Sequence, residues 1–276
     1  MNFYDKLTNI SKKNDSLLCV GLDSDINKIP QAVKNDPFPQ FAFNKAIVDA
    51  THDLVCAYKP NSAYYEAFGS EGIRALKMTC DYIREMHPEI IIILDAKRGD
   101  IGNTNTGYVA YAYDYLGVDA ITLHPFLGKE ALAPFLERKD KGCFILCRTS
   151  NPGAGEFQDM VVSGKPLYQQ VAEHVVKEWN THHNCGLVVG ATYPEELAII
   201  RKNVGSIPLL IPGVGAQGGD VEKTVKAGVD KDGGNAIINS GRSILFASGK
   251  SDFAQAARKE TLKLKDTINV FRGENV

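Results

Sequence analysis

Residues 90–97 read Ile-Ile-Ile-Ile-Leu-Asp-Ala-Lys. Five aliphatic residues in a row show no alternation, so the segment suits a strand buried on both faces, and the charges arrive only at its end. The same grammar recurs along the chain. Segments 17–23, 54–61, 120–126, 143–150, 186–192, 208–215 and 236–244 are each rich in Val, Ile, Leu or Cys and end in polar residues or Gly. Their starts run from 17 to 236, a mean spacing of about 31 residues, the length of one β-plus-α unit in a parallel barrel. Helices are expected between them, at 41–53, 71–86, 104–116, 129–137, 166–181, 194–202, 219–227 and 251–270. Eight strands alternating with eight helices predict an α/β protein, a (β/α)₈ TIM barrel formed as a single domain over 1–276. An open doubly wound sheet is the rival. Gly213-x-Gly215 follows a strand, but Gly218-Gly219 does not complete a dinucleotide fingerprint.

Composition narrows the class. The chain has 276 residues, 44 % apolar and 23 % charged, with a net charge of −2. That balance suits an ordinary globular protein and gives no support for nucleic acid or an anionic membrane as partner. No apolar run approaches a membrane span, and residues 1–14 lack the apolar core of a signal peptide. Six cysteines occur without a Cys-x-x-Cys, four of them inside apolar runs. Buried, reduced thiols in a cytoplasmic enzyme are expected, not a disulfide framework or a zinc site.

Active sites of parallel barrels lie where the strands end. Asp23, Lys59, Asn61, Asp95, Lys97, His124, Thr149, Ser150, Thr192, Gln217 and Arg242 all stand at such ends. Residues two apart on a strand share a face, so Asp95 and Lys97 are expected to point together, with Asp100 just beyond and Lys59 facing them from the previous strand. A salt-bridge layer closing the barrel would use the same residue types. Charges this deep are costly unless paired, and their concentration at one mouth favours a reacting site. At the other side, Gly213-Val-Gly-Ala-Gln-Gly-Gly219 and Ser240-Gly-Arg242 leave strands seven and eight, where such barrels often hold phosphate. Two tight turns with a surface Arg would look alike. Segment 151–165 lacks periodicity and reads as a mobile loop at the mouth. His124 precedes Pro125, a context that reads as a structural hydrogen bonder.

These motifs resemble a known family along nearly the whole chain. Asp95-Ala-Lys97-Arg-Gly-Asp100-Ile101-Gly-Asn-Thr104 is similar to the Asp-x-Lys-x-x-Asp-Ile-x-x-Thr signature of the orotidine 5′-phosphate decarboxylases. Ala57-Tyr-Lys59-Pro-Asn61 and Thr149-Ser150-Asn-Pro-Gly-Ala154 resemble its bacterial type 2 branch. The resemblance implies conversion of orotidine 5′-phosphate to UMP and CO₂ without cofactor or metal, the last step of de novo UMP synthesis. It implies a catalytic tetrad of Lys59, Asp95, Lys97 and Asp100, with Lys97 as proton donor to C6. Substrate contacts would come from Asp23, Asn61, Ile101, Thr104, Ser150, Gln217, Gly241 and Arg242. Asp100, Ile101 and Thr104 would reach into the neighbouring subunit of a homodimer with shared sites. Sugar-phosphate relatives in the same broader group use Mg²⁺ and carry an acidic ligand on the second strand. A cation at Lys59 opposes that reading. A catalytically silent phosphate-binding barrel is the other alternative.

Overall fold

In the computed structural model, residues 2–215 and 218–273 are described. Among them, eight parallel strands close into a barrel: β1 Leu18–Gly21, β2 Ala57–Lys59, β3 Ile91–Arg98, β4 Ala120–Leu123, β5 Gly142–Arg148, β6 Cys185–Val189, β7 Leu209–Pro212 and β8 Ala236–Ser240. Each strand neighbours its successor, and β8 pairs with β1. The expected barrel stands, and the open sheet does not. Except for β3, the strands are shorter than the apolar runs, because residues beyond the last rung turn into the loops that build the mouth.

The helices pack outside in the expected order: α2 Pro39–Thr51, α3 Gly69–Met86, α4 Gly102–Val109, α5 Gly128–Leu136, α6 Leu167–His174, α7 Pro194–Val204, α8 Val221–Gly228 and α9 Phe253–Gly273. Two of them run on as π-helical turns, Ala110–Tyr115 after α4 and Val175–Trp179 after α6. No described helix is long and apolar enough to cross a membrane. All six cysteines are free and buried.

One long helix and several single turns lie outside the expected spans. α1, Phe3–Lys13, precedes the barrel. Asn2 caps it by accepting from the Asp5 amide at 2.8 Å, and Phe3, Leu7 and Ile10 form one buried stripe. The spacing is helical, and the charged residues between break any long apolar run in the sequence. Phe3 packs edge-on against Phe144 of β5 at 5.7 Å between ring centroids. Burying such a side chain contributes roughly 1.5–3 kcal/mol.

Candidate active site

β3 does not run straight to its end. Its register against β4 shifts between Leu94 and Arg98, and Lys97 adopts a left-handed backbone with φ 47°. Asp95 and Lys97 do meet, with Lys97 Nζ donating to Asp95 Oδ1 at 2.6 Å. A bulge brings them together, not the plain alternation expected from a regular strand. Thr122 of β4 holds the bulge. Its Oγ1 accepts from the Ala96 and Lys97 amides, at 3.1 and 2.9 Å, and donates to Asp95 Oδ1 at 2.9 Å. A left-handed non-Gly residue is strained and persists only where its surroundings hold it.

Lys59 ends β2 and is 3 % exposed. Its ammonium donates to Asp95 Oδ2 at 2.9 Å and lies 3.9 Å from Asp23 Oδ1. The floor of the site is therefore an ordered chain of charge: Asp23, Lys59, Asp95, Lys97. Burial pushes the Asp95 carboxyl up, but the charges and hydrogen bonds of Lys59 and Lys97 outweigh it and hold Asp95 below the usual carboxylate range. Burial pulls Lys59 down, and Asp95 and Asp23 more than restore it, so its ammonium is held above the ordinary lysine value. Lys59 and Asp95 are thus fixed as ions.

A cavity of about 540 Å³ opens above this floor. Of the residues singled out from sequence, it gathers Asp23, Lys59, Asn61, Asp95, Lys97, Ser150, Gly241 and Arg242. Gly213 and Gly215 follow β7 with φ of 107° and 84°, a conformation that favours glycine. This turn closes on itself as the Gly219 amide donates to Gly213 O at 3.1 Å. Arg242 is exposed and lines the same cavity, its guanidinium a planar two-pronged hydrogen-bond donor. Gln217 lies outside the described residues.

Asp100, Ile101 and Thr104 do not line this cavity within their own chain. Asn105 stitches their turn, accepting from the Asp100 amide at 3.0 Å and donating to Asp100 O at 2.6 Å. The turn faces outward, with Ile101 63 % exposed. His124 bonds through Nε2 to Gly99 O at 2.8 Å, the structural role expected for it.

Segment 151–165 does sit at the mouth, and it carries short elements of its own. A helical turn at Gly155–Gln158 leads into a hairpin pairing Val161–Val162 with Lys165–Pro166. The Gln158 amide locks onto Thr149, accepting from its N–H at 2.8 Å and donating to its Oγ1 at 2.9 Å. Gln158, Thr122 and Asn239 all line the cavity and were missed from sequence. Thr122 and Asn239 had a signal, each a polar residue inside an apolar run. Gln158 had none, because its partner is set by how the loop folds back.

Among the described residues, no group of His, Cys, Asp and Glu is placed to hold a metal ion. The two innermost carboxylates, Asp23 and Asp95, already share the Lys59 ammonium.

Known proteins share this architecture and sequence. Residues 16–259 match the family described as Orotidine 5′-phosphate decarboxylase / HUMPS family. A Cellvibrio japonicus (strain Ueda107) protein named orotidine 5′-phosphate decarboxylase is 53 % identical over 274 residues, 99 % of this chain and 100 % of that protein. A Herpetosiphon aurantiacus protein of the same name is 54 % identical over 258 residues, 93 % and 94 % of the two chains. The solved structure of Leishmania donovani OMP decarboxylase superposes with a TM-score of 0.85 at 37 % identity, covering 99 % of each chain. Matched over most of its length, the chain belongs to the orotidine 5′-phosphate decarboxylase / HUMPS family.

Proposed function

We propose that this chain is an orotidine 5′-phosphate decarboxylase, a carboxy-lyase that forms UMP in pyrimidine biosynthesis. The observation that carries the reading is the Asp23–Lys59–Asp95–Lys97 chain on the floor of a cavity whose rim bears Arg242. When the bond from C6 to the carboxylate breaks, its electron pair stays on C6 in an orbital outside the ring π system. Delocalisation gives little help, and a fixed cation beside C6 does. In this reading Lys97 is that cation and then transfers its proton to C6 as general acid, while CO₂ leaves and solvent reprotonates the amine. Asp95, itself held by Lys59, keeps Lys97 aimed, so little reorganisation is needed as charge develops. Gly241, Arg242 and Gln217 take the phosphate, Ser150 the pyrimidine amide, and Asp23, Asn61 and Lys59 the ribose side. The phosphate is remote from the chemistry, yet its binding energy can be expressed in the transition state.

The working unit in this reading is a homodimer, and Asp100, Ile101 and Thr104 complete the partner's cavity. Two observations support it. The three residues sit on an outward turn, and that side of the mouth exposes Ile101, Leu127 and Phe126, the last at 92 %. Exposed apolar clusters of this kind mark contact surfaces. The chain acts as one catalytic domain, with no nucleic acid or membrane as partner, and the buried free cysteines suit a reducing cytoplasm. The test is direct. Purified protein with EDTA present should consume the orotidylate absorbance and form UMP. A requirement for added metal would sink the reading.

A further inference from the structure

Asn239 lies near the end of β8, 8 % exposed, in the cavity wall. It is in register with Cys19 of β1 and Pro212 of β7, so its side chain belongs to the layer just beneath the mouth, two residues down the strands from Gly21 and Lys59. Its Oδ1 is buried and has no hydrogen-bond partner. Barrel interiors at such layers carry aliphatic residues, and an unpaired buried amide oxygen costs more than an ordinary hydrogen bond gains. A chain that keeps Asn there leaves that acceptor for something that enters the cavity.

A second acceptor lies beside it. Asp23 Oδ1 is also buried without a hydrogen-bond partner, its nearest cation being the Lys59 ammonium at 3.9 Å. Two glycines keep this corner open. A Cβ on Gly21 would stand 3.4 Å from Asn239 Oδ1 and 3.6 Å from Nδ2, and a Cβ on Gly241 would stand 3.4 Å from Asp23 Oδ2. The corner lies between the ammonium groups of the floor and Arg242 at the rim, so a nucleoside monophosphate spanning the two places its sugar there. Two unpaired acceptors call for a ligand that presents donors. A phosphate dianion presents only acceptors and is repelled by Asp23. Sugar hydroxyls present donors.

Resting on the decarboxylase reading above, we infer that Asn239 is a specificity-determining residue: its Oδ1 accepts a hydrogen bond from a ribose hydroxyl of the substrate, next to the hydroxyl contact of Asp23. The amide thereby selects ribonucleotide over a deoxy analogue, since a site built to bond a hydroxyl is left with an unpaired oxygen when the hydroxyl is missing.

The experiment compares kcat/KM for orotidine 5′-phosphate and for its 2′-deoxy and 3′-deoxy forms, using the full chain. The proteins are wild type, Asn239→Ala and Gly21→Ala, the last setting a methyl against the amide and the Gly241 Cα, in the space a hydroxyl would enter, without removing the amide. Asn239→Ala should lower kcat/KM for the ribonucleotide by about tenfold, chiefly through KM. It should also lose most of the wild-type discrimination against one deoxy form and keep the discrimination against the other. Gly21→Ala should shift the same ratio in the same direction, and it carries the test alone if Asn239→Ala does not fold. An equal loss on all three substrates means a structural residue and overturns the inference. Unchanged ratios, as for an amide that meets only water, overturn it as well. Wild-type turnover of the ribonucleotide is the control. Its absence removes the decarboxylase reading together with this one, whereas active wild type with unchanged ratios in the variants removes only the Asn239 assignment.

Discussion

Arg148 holds Asp159 side-on, with Nε 3.0 Å from Oδ1 and Nη2 3.1 Å from Oδ2. The guanidinium belongs to the last residue of β5, is almost wholly buried, and stacks 4.2 Å from the Tyr193 ring. Its Nη1 also donates to Thr149 O at 3.0 Å. Arg148 thus ties the middle of the mouth segment back to the strand it left, and Gln158, the residue before Asp159, is held over Thr149 by the same closure. The planar fork suits this role better than a lysine would.

Asp159→Asn is expected to loosen that closure while leaving the shape of the side chain. The substrate KM should rise several-fold with a smaller change in kcat, since no reacting group is touched. Proteolysis within residues 151–166 should accelerate, and saturating UMP should slow it again. Protease resistance equal to wild type would show that the pair does not hold the segment.

The left-handed backbone at Lys97 predicts two variants alike in activity and unlike in stability. Lys97→Ala and Lys97→Gly should both lose turnover by many orders of magnitude and still bind UMP. Lys97→Gly should be the more stable of the two by about 1 kcal/mol, because glycine meets φ 47° without the Cβ penalty. Denaturant titration of the two variants compares them. A more stable Ala variant would mean that the bulge relaxes once the lysine is gone.

The charged floor sets a pH dependence with a definite sign. Asp95 titrates below the usual range when folded and near about 3.9 when unfolded. As acid is added, the unfolded chain takes this proton first, so the stabilising contribution of Asp95 is complete above about pH 4 and is lost as the pH falls through the folded value. Lys59 mirrors it: held above its ordinary value when folded, it contributes fully below about pH 10.4 and loses the contribution as the pH rises through the folded value. The stability difference between wild type and Asp95→Asn, measured by denaturant from pH 3 to 7, should shrink below pH 4. A difference that grows in acid contradicts the ion-pair account.

The proposed sharing of sites between two subunits makes a quantitative prediction. Lys97→Ala and Asp100→Ala are each expected to be inactive. In a mixed dimer one site collects both lesions and the other collects neither. Random exchange at equal amounts should restore about a quarter of wild-type activity, the ceiling set by two-fold symmetry. If Asp100 served its own chain, every site would keep a lesion and exchange would restore nothing.

Much of this protein is legible in one dimension. Apolar segments such as 90–94, recurring at a mean spacing of about 31 residues with helices between, specify parallel strands covered on both faces, and eight such units favour a barrel over an open sheet. The charges that end those runs are legible as site residues for the same reason: the fold sends every strand end to one mouth. Local contacts are a different matter. That Asp95 and Lys97 meet through a bulge depends on Thr122, a hydroxyl one strand away that collects two amides and a carboxylate oxygen. That Gln158 belongs to the cavity depends on Arg148 drawing Asp159 back across the mouth, and that Asn239 is unpaired depends on what its neighbours in the closed barrel leave empty. Periodicity reports which face a residue takes. Hydrogen-bond partners drawn from other strands and loops are chosen only when the barrel closes, since register and loop path, not sequence spacing, decide which donors come within 3 Å of which acceptors.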